Sequence, residues 1–218
     1  MAAASPELRT PLAAIQSSLD AARIADLSEQ KHFLDASLSE TKRLSTLVND
    51  MLKLAQSDLR MNDLNLKPQE PDTLLLEMYE AFFALAHEHA LALHIKLPKD
   101  AVAPHLLDYD KIYQVLSILI YNAISYTPAG GRITLSLQSD SRHIIFLVED
   151  NGRGIAPKDR SHLFERFYRG DQSRSTKDGD TTHYGLGLSI ASEIIKAHKG
   201  SISFMDTPGG GTTFQIII

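Results

Sequence analysis

An alternating apolar run that ends in a carboxylate and two glycines constrains this chain more than any other feature. The run spans residues 143–149, and Asp150, Gly152 and Gly154 follow it. Such alternation is typical of a β-strand with one buried face, so the carboxylate lies where a strand ends. There it can accept a hydrogen bond from an exocyclic amine, while the glycines let the backbone lie flat against a planar ligand. The pattern predicts a binding site at the end of this strand.

The composition favours a folded protein of one large or two modest domains. The 218 residues are 43% hydrophobic, which is ample for packed cores. With 22 basic and 27 acidic residues the net charge is -5, and no basic cluster is long enough to predict nucleic-acid binding. The absence of cysteine excludes disulfides, thiol catalysis and cysteine zinc sites. No apolar run approaches the ~18 residues that a membrane-spanning helix needs.

Residues 6 to about 57 are predicted to form two helices. Pro6 suits a first helical position with Ser5 as its cap, and the bend at residues 26–28 offers Ser28 as the cap of the second helix. Apolar stripes recur at three- and four-residue steps, along Leu8, Leu12, Ile15, Leu19 and Ala22, and then along Leu34, Leu38, Thr41, Leu44, Val48, Leu52 and Ala55. Pairing with a second hairpin buries both stripes, so we expect a four-helix bundle made by two chains. The alternative is a hairpin packed on its own second domain.

The polar stretch 59–71 indicates a domain boundary near residues 57–62, with domains at 1–57 and 63–218. In the second domain the patterns predict helices over about 72–91 and 110–126. They predict strands over 92–97, 133–137, 144–148, 202–204 and 214–216. Helices on one face of a mixed, mostly antiparallel sheet make an α+β sandwich.

Further motifs accompany Asp150 in a fixed order along the chain. They are Ser5-Pro6-Glu7-Leu8-Arg9-Thr10-Pro11-Leu12, Asn122, Phe164-Glu165-Arg166-Phe167-Tyr168-Arg169, Gly185-Leu186-Gly187-Leu188 and Gly209-Gly210-Gly211-Thr212. From about Ser5 to Ile218 this set resembles the cytoplasmic core of a two-component sensor histidine kinase. The resemblance implies the ATP-binding fold shared by histidine kinases, type II topoisomerases and certain chaperones. An ATPase clamp of the latter kinds is a weaker alternative.

The resemblance also implies which residues hold ATP and magnesium. Asp150 would bind the adenine amino group, and Asn122 would ligate Mg²⁺ through its amide oxygen. The other implied ATP-binding residues are Tyr126, Gly152, Gly154, Ile155, Arg169, Gly185, Leu186, Gly187, Leu188 and Thr213. Residues 170–184 are almost free of apolar side chains and are predicted to form a mobile lid. Three alternatives stay open: Asp150 caps its own turn, Asn122 is an exposed helical residue, and Tyr126 closes its helix against the sheet.

Three positions near this site depart from the family pattern. Ile118 stands where many relatives carry asparagine or an acid, and Ser125 where many carry a basic residue. His183 stands where a glycine is usual. Because phosphoryl transfer depends on positioning and charge, Ile118 and Ser125 put its efficiency in doubt while nucleotide binding is expected to survive.

The departure with the largest consequence is Pro6, which occupies the position of the family's phosphate-accepting histidine. Proline lacks the nucleophilic nitrogen that the reaction needs. The histidine of the predicted hairpin, His32, lies at the helix bend rather than beside Glu7, so we do not expect it to accept the phosphate instead. We therefore expect blocked autophosphorylation in a homodimeric kinase core that serves a response regulator. Glu7 and Thr10 match the family's catalytic acid and phosphatase residue, so the alternative is a phosphatase or docking scaffold that uses ATP as a conformational ligand. The alternative explanation of these two residues is structural: Glu7 is an acid favoured by the helix dipole, and Thr10 is a threonine that precedes Pro11.

The resemblance implies a cytoplasmic chain whose parent protein is anchored in a bacterial membrane through a sensing region absent from this sequence. Residues 1–4 are a candidate leader ahead of the first motif.

Overall fold

The computed structural model describes residues 4–60, 64–140, 143–168 and 185–218. In the first two helices, most of the side chains that it describes lie between residues 8 and 48. The chain divides into two compact units, one ending at Asp58 and the other beginning at Leu59. The first unit is helical. The second contains the elements that follow the first two helices. In chain order the α-helices and strands are α1 Ala4–Ile24, α2 Leu27–Arg60, β1 Lys67–Gln69, α3 Pro71–Glu88, β2 Ala92–Lys96, β3 His105–Leu107, α4 Tyr109–Tyr126, β4 Arg132–Ser139, β5 Ile144–Asp150, α5 Gly187–Ala197, β6 Ser201–Asp206 and β7 Thr212–Ile217.

Asp26 caps α2, whereas the sequence pattern predicts Ser28. Asp26 Oδ1 accepts hydrogen bonds from the Ser28 hydroxyl (2.7 Å) and from the backbone N–H groups of Ser28 (2.9 Å) and Glu29 (3.0 Å). These hydrogen bonds hold the pKa of Asp26 below its usual value, and the bond from the Ser28 hydroxyl contributes most to this shift. The cap therefore lies two positions earlier than predicted, because the Asp26 carboxylate reaches the free N–H groups of the first turn.

Helix α1 begins at Ala4, so Ser5 and Pro6 lie inside its first turn and Ser5 is not its cap. A proline there costs no hydrogen bond, because the first-turn N–H groups have no intrahelical partner. In the described side chains of the hairpin, most stripe residues stay solvent-exposed, with Leu12 at 48% and Leu38 at 55%.

The second unit contains a five-stranded sheet in the order β2-β4-β5-β7-β6. Strands β2 and β4 are parallel and the other neighbours are antiparallel, which confirms the predicted mixed sheet. Along β5, Ile144, Phe146 and Val148 are buried and alternate with half-buried residues, and α3, α4 and α5 supply the opposing core. This layering confirms the predicted α+β sandwich.

A two-stranded antiparallel ribbon of β1 and β3 was not predicted, because β1 lies in the stretch assigned to a linker. The ribbon leads into α4, whose cap is Asp108. Its Oδ1 accepts from the Lys111 N–H (3.2 Å) and its Oδ2 from the Asn65 N–H (2.9 Å). The Asp108 N–H donates to His198 Nε2 (3.1 Å), and His198 Nδ1 contacts the Ile194 carbonyl (2.8 Å). Asp108 thus joins the start of α4 to the end of α5.

Candidate functional site

Asp150 ends β5 with its side chain 5% exposed, on the face of the sheet that the helices cover. Its Oδ1 accepts hydrogen bonds from the Gly152 N–H (2.8 Å) and the Thr212 N–H (3.2 Å). Within the described residues no donor reaches Oδ2. One oxygen therefore stabilises the turn, as the alternative interpretation proposed, and the other keeps its capacity to accept a ligand hydrogen bond.

The pKa of Asp150 is raised above its ordinary value. Burial is the largest cause, and the negative charge of Glu149 adds to it, while the hydrogen bonds from Gly152 and Thr212 act in the opposite direction. A ligand that donates to the free oxygen would replace part of the lost hydration.

Glycine is required at two positions beside Asp150. A Cβ built on Gly152 would overlap the carbonyl oxygen of Tyr126, and one built on Gly211 would overlap the carbonyl oxygen of Asp150. Gly211 also has φ +101°, a conformation that disfavours other residues. The two loops therefore pack backbone against backbone around Asp150, and Gly154 approaches Gly211 from the same turn.

The threonine beside Asp150 is Thr212, whose backbone N–H binds the carboxylate, and Thr212 was not among the predicted residues. Thr213 pairs across the sheet with Glu149 and Met205, so its side chain lies on the opposite face from Asp150. The Thr213 hydroxyl is hydrogen-bonded to that of Thr207 (2.8 Å). Strand alternation places Thr212 on the same face as buried Phe214, because residues two apart share a face, but the strand register is what brings that face beside Asp150.

Asn122 lies on α4, half-buried, and within the described residues its amide makes no hydrogen bond. Ile118 precedes it by one turn and is half-buried, and Ser125 follows it and is exposed. An amide oxygen without a partner is a suitable hard ligand for Mg²⁺, which keeps several waters and needs few protein groups. The described residues hold no cluster of three or more acidic or histidine side chains that would bind a metal elsewhere.

Helix α5 begins against α4 at Ile118. A Cβ on Gly187 would lie 3.1 Å from Ile118 Cγ2, so only a residue as small as glycine fits without a shift. Leu186 is buried, and the first intrahelical backbone bond runs from the Ile190 N–H to the Leu186 carbonyl (3.0 Å). The preceding N–H groups have no intrahelical acceptor and form the positive end of the helix, which favours an anion. Asn122 lies one turn from this contact on α4.

Gly185 turns into α5 with φ +72°, and its carbonyl accepts the N–H of Phe167 (3.0 Å). Phe167 itself has φ +65°, a conformation that is unusual for an aromatic residue. Arg166 pairs with Glu193 of α5, and the Tyr168 hydroxyl donates to Asp159 (2.7 Å). The motif around Phe167 is therefore fixed to the start and the middle of α5.

Tyr126 is the last residue of α4, 38% exposed, and lines a cavity of about 360 Å³ with Ser125 and Arg153. Its carbonyl accepts the Arg153 N–H (3.3 Å). Ile155 is half-buried in the same loop, and its carbonyl accepts Arg160 Nε (3.2 Å).

The structure thus brings Asp150, Gly152, Gly154 and Tyr126 together at one end of α4, and Asn122 and Gly187 along its length. Arg169, His183 and the predicted lid at 170–184 lie outside the described residues. Pro6 and Glu7 belong to α1, but their side chains are outside the described set, while Thr10 is exposed on the same helix.

Two family models match the chain. The His Kinase A (phospho-acceptor) domain covers residues 1–60, and the histidine kinase-, DNA gyrase B- and HSP90-like ATPase covers residues 107–218. The sensor histidine kinase RppB of Synechocystis is 36% identical over 98% of this chain. The chain belongs to the sensor histidine kinase family. The ATPase match implies ATP binding, and the phospho-acceptor match implies dimerisation.

This sensor kinase chain spans 47% of the length of RppB. The Acinetobacter baumannii histidine kinase AdeS has a similar structure, with a TM-score of 0.72, 29% identity and coverage of 97% of this chain and 96% of AdeS. Histidine kinase ThkA, in complex with response regulator TrrA, shares the fold at a TM-score of 0.76 and 22% identity, over all of this chain and 60% of ThkA. Among the residues that the structure describes, none of the helices contains an apolar stretch sufficient to span a lipid bilayer.

Proposed function

We propose that this chain is the core of a sensor kinase that binds ATP with Mg²⁺ and acts on a response regulator, with autophosphorylation blocked by Pro6. The observation that supports it most is buried Asp150 Oδ2, which no donor among the described residues reaches and which lies at the end of the helix that carries Asn122. Calorimetry with ATP and MgCl₂ tests it: we expect saturable binding at one site per chain. A flat trace from folded protein would remove the proposal.

Adenine recognition would centre on Asp150 Oδ2, which can accept a hydrogen bond from the adenine amino group. Guanine has a carbonyl oxygen at that position, so the same oxygen would repel it. Gly152 and Gly154 would let the base approach the backbone, with Ile155 and Tyr126 on its faces. Because of the strand register we assign Thr212, rather than Thr213, to the base.

The phosphates would lie between α4 and α5, held by Mg²⁺ on Asn122 and by the N–H groups of Gly187 and Leu188, with Gly185 and Leu186 shaping the turn. Arg169 is retained in the ATP-binding set from the family motif. Magnesium would neutralise phosphate charge when bound. Ile118 packs against Gly187, so it supports the phosphate site sterically but supplies neither a charge nor a hydrogen bond. Ser125 can add only a neutral hydrogen bond.

Pro6 would prevent phosphorylation of the chain itself, because its ring nitrogen has no free electron pair for attack on the γ-phosphate. We expect Pro6→His to take label from γ-labelled ATP, with Glu7 assisting the transfer, and the original chain to take none. The control is Pro6→His combined with Asp150→Asn. Equal labelling of the original chain and Pro6→His would overturn the blocked-acceptor assignment.

A phosphatase or docking scaffold is the second candidate, favoured by exposed Thr10 on the helix that carries Pro6. It predicts faster loss of phosphate from a phosphorylated receiver domain when the chain is added, and loss of that acceleration in Thr10→Ala. If phosphate is lost at the uncatalysed rate with saturating chain and ATP, this candidate fails.

The partners would be a second copy, through the exposed stripes of α1 and α2, and a response regulator, as in the complex of ThkA with TrrA. We assign the chain to the cytoplasm from the family alone. Light scattering is expected to give the mass of a dimer, and Leu12→Asp with Leu38→Asp the mass of a monomer.

A further inference from the structure

Arg153 makes an unusually defined contact for an exposed arginine. Its guanidinium carbon lies 4.5 Å from the centroid of the Tyr126 ring, and its backbone N–H donates to the Tyr126 carbonyl. Side chain and backbone of one residue therefore both hold the same tyrosine.

Two further observations explain why the guanidinium stays there. Within the described residues Arg153 has no carboxylate partner that would draw it away from the ring. Tyr126 ends α4, where the negative end of the helix dipole favours a cation. The stacked guanidinium thus gains from the ring and from the helix end together.

Gly152 adds a backbone constraint, because it packs directly on the Tyr126 carbonyl and shares the turn with Asp150. The turn that orients the Asp150 carboxylate therefore also carries the arginine that contacts the Tyr126 ring. A ligand held by Asp150 would meet a ring that is already oriented, which lowers the entropy lost on binding.

We propose that Arg153 is a positioning residue for nucleotide binding, which acts by holding the ring of Tyr126 against the base. The inference rests on the proposed ATP site. It assigns to Arg153 no contact with the phosphates.

A double-mutant cycle tests this assignment. Dissociation constants for ATP and for adenosine are measured on the whole chain and on Arg153→Ala, Tyr126→Ala and the double variant. We expect Arg153→Ala to weaken both ligands about 2- to 5-fold, the range of an exposed cation–π contact. In the Tyr126→Ala background the same change is expected to have no effect.

Three results would overturn the assignment. They are unchanged affinity in Arg153→Ala, a loss for ATP without a loss for adenosine, or an equal loss in the Tyr126→Ala background. The second would indicate a direct phosphate contact, and Arg153→Lys would then restore ATP binding. Under our assignment Arg153→Lys stays weaker than the original, because an ammonium lacks the planar stacking surface.

Arg23→Ala, an exposed arginine of α1, is the matched control and is expected to leave both affinities unchanged. Thermal melts of every variant show whether the fold is intact. If the original chain binds neither ligand, the ATP site itself is refuted rather than the role of Arg153 alone.

Discussion

The helical hairpin and the sheet-containing unit differ in how far each buries its own apolar side chains. Of the hairpin side chains that the structure describes, the buried ones are Pro11, Ala22 and Ser37, while Leu34 is 48% exposed. In the second unit Phe146, Leu75 and Ile112 are fully buried. The second unit carries its own core, whereas most of the described stripe residues of the hairpin stay exposed. An exposed apolar stripe of this kind fits the proposed dimer, in which a second hairpin would bury it.

Removing a fully buried aromatic ring should show the largest difference in stability between the two units. Phe146→Ala is expected to destabilise the second unit by about 3–5 kcal/mol, because it loses apolar burial and leaves a cavity. Urea unfolding followed by far-ultraviolet circular dichroism measures the change. Leu38→Ala is the counterpart: a change below about 0.5 kcal/mol in a monomer is expected, with a weaker dimer. Equal destabilisation by the two variants would contradict the comparison.

Asp150→Asn should weaken ATP binding and reduce the preference for adenine. The amide would turn a donor toward the adenine amino group, so we expect ATP affinity to fall about 10- to 150-fold, the range for a charged hydrogen bond, and GTP to be discriminated against less. Calorimetry measures both nucleotides. Unaltered ATP affinity would remove Asp150 from the site.

The same variant tests the raised pKa of Asp150. A carboxyl group whose pKa is raised on folding contributes stability that is complete below its ordinary pKa and is lost as the pH rises through the raised value. Urea unfolding of the original chain should therefore show this loss with rising pH in the acid range, and Asp150→Asn should lack it. Asp110→Asn, at an exposed position of α4, is the control and should retain it.

The junction between α4 and α5 predicts a smaller effect. His198→Ala leaves the buried Asp108 N–H without its acceptor, which should cost about 1–3 kcal/mol in unfolding free energy. His94→Ala, an exposed histidine of β2, should change it by less than about 0.5 kcal/mol. Nitrogen NMR should find neutral His198 protonated on Nδ1, because Nε2 accepts the Asp108 N–H. A proton on Nε2 would rule out this hydrogen bond.

The smallest effect is expected at Asp26 in the hairpin. Because its pKa is lowered on folding, the stability it contributes is present above the ordinary aspartate pKa and is lost as the pH falls through the lowered value. Asp26→Ala should remove that acid dependence of the helix content, measured by circular dichroism. Asp26→Asn, which still caps the helix, should remove the pH dependence while keeping more of the helix content.

Patterns within a single element predicted their structures well. Alternation located β5 and buried Phe146, and helical spacing located α4 with Asn122 off its buried face. Apart from the helix caps predicted at Ser5 and Ser28, the errors arose where distant segments meet. The β1–β3 ribbon joins Pro68 to Leu106 across nearly forty residues of chain, and no local pattern in a polar stretch predicts that pairing.

By itself the sequence determined the family, the order of the motifs and the position of Asp150 at the end of a strand, because these depend on residue types and their spacing along one strand or helix. Tertiary structure decided that Thr212, not Thr213, adjoins the carboxylate, that Ile118 supports Gly187, and that Arg153 lies on Tyr126. Those contacts depend on strand register and helix packing, which bring together residues far apart in the chain and which short-range periodicity does not encode.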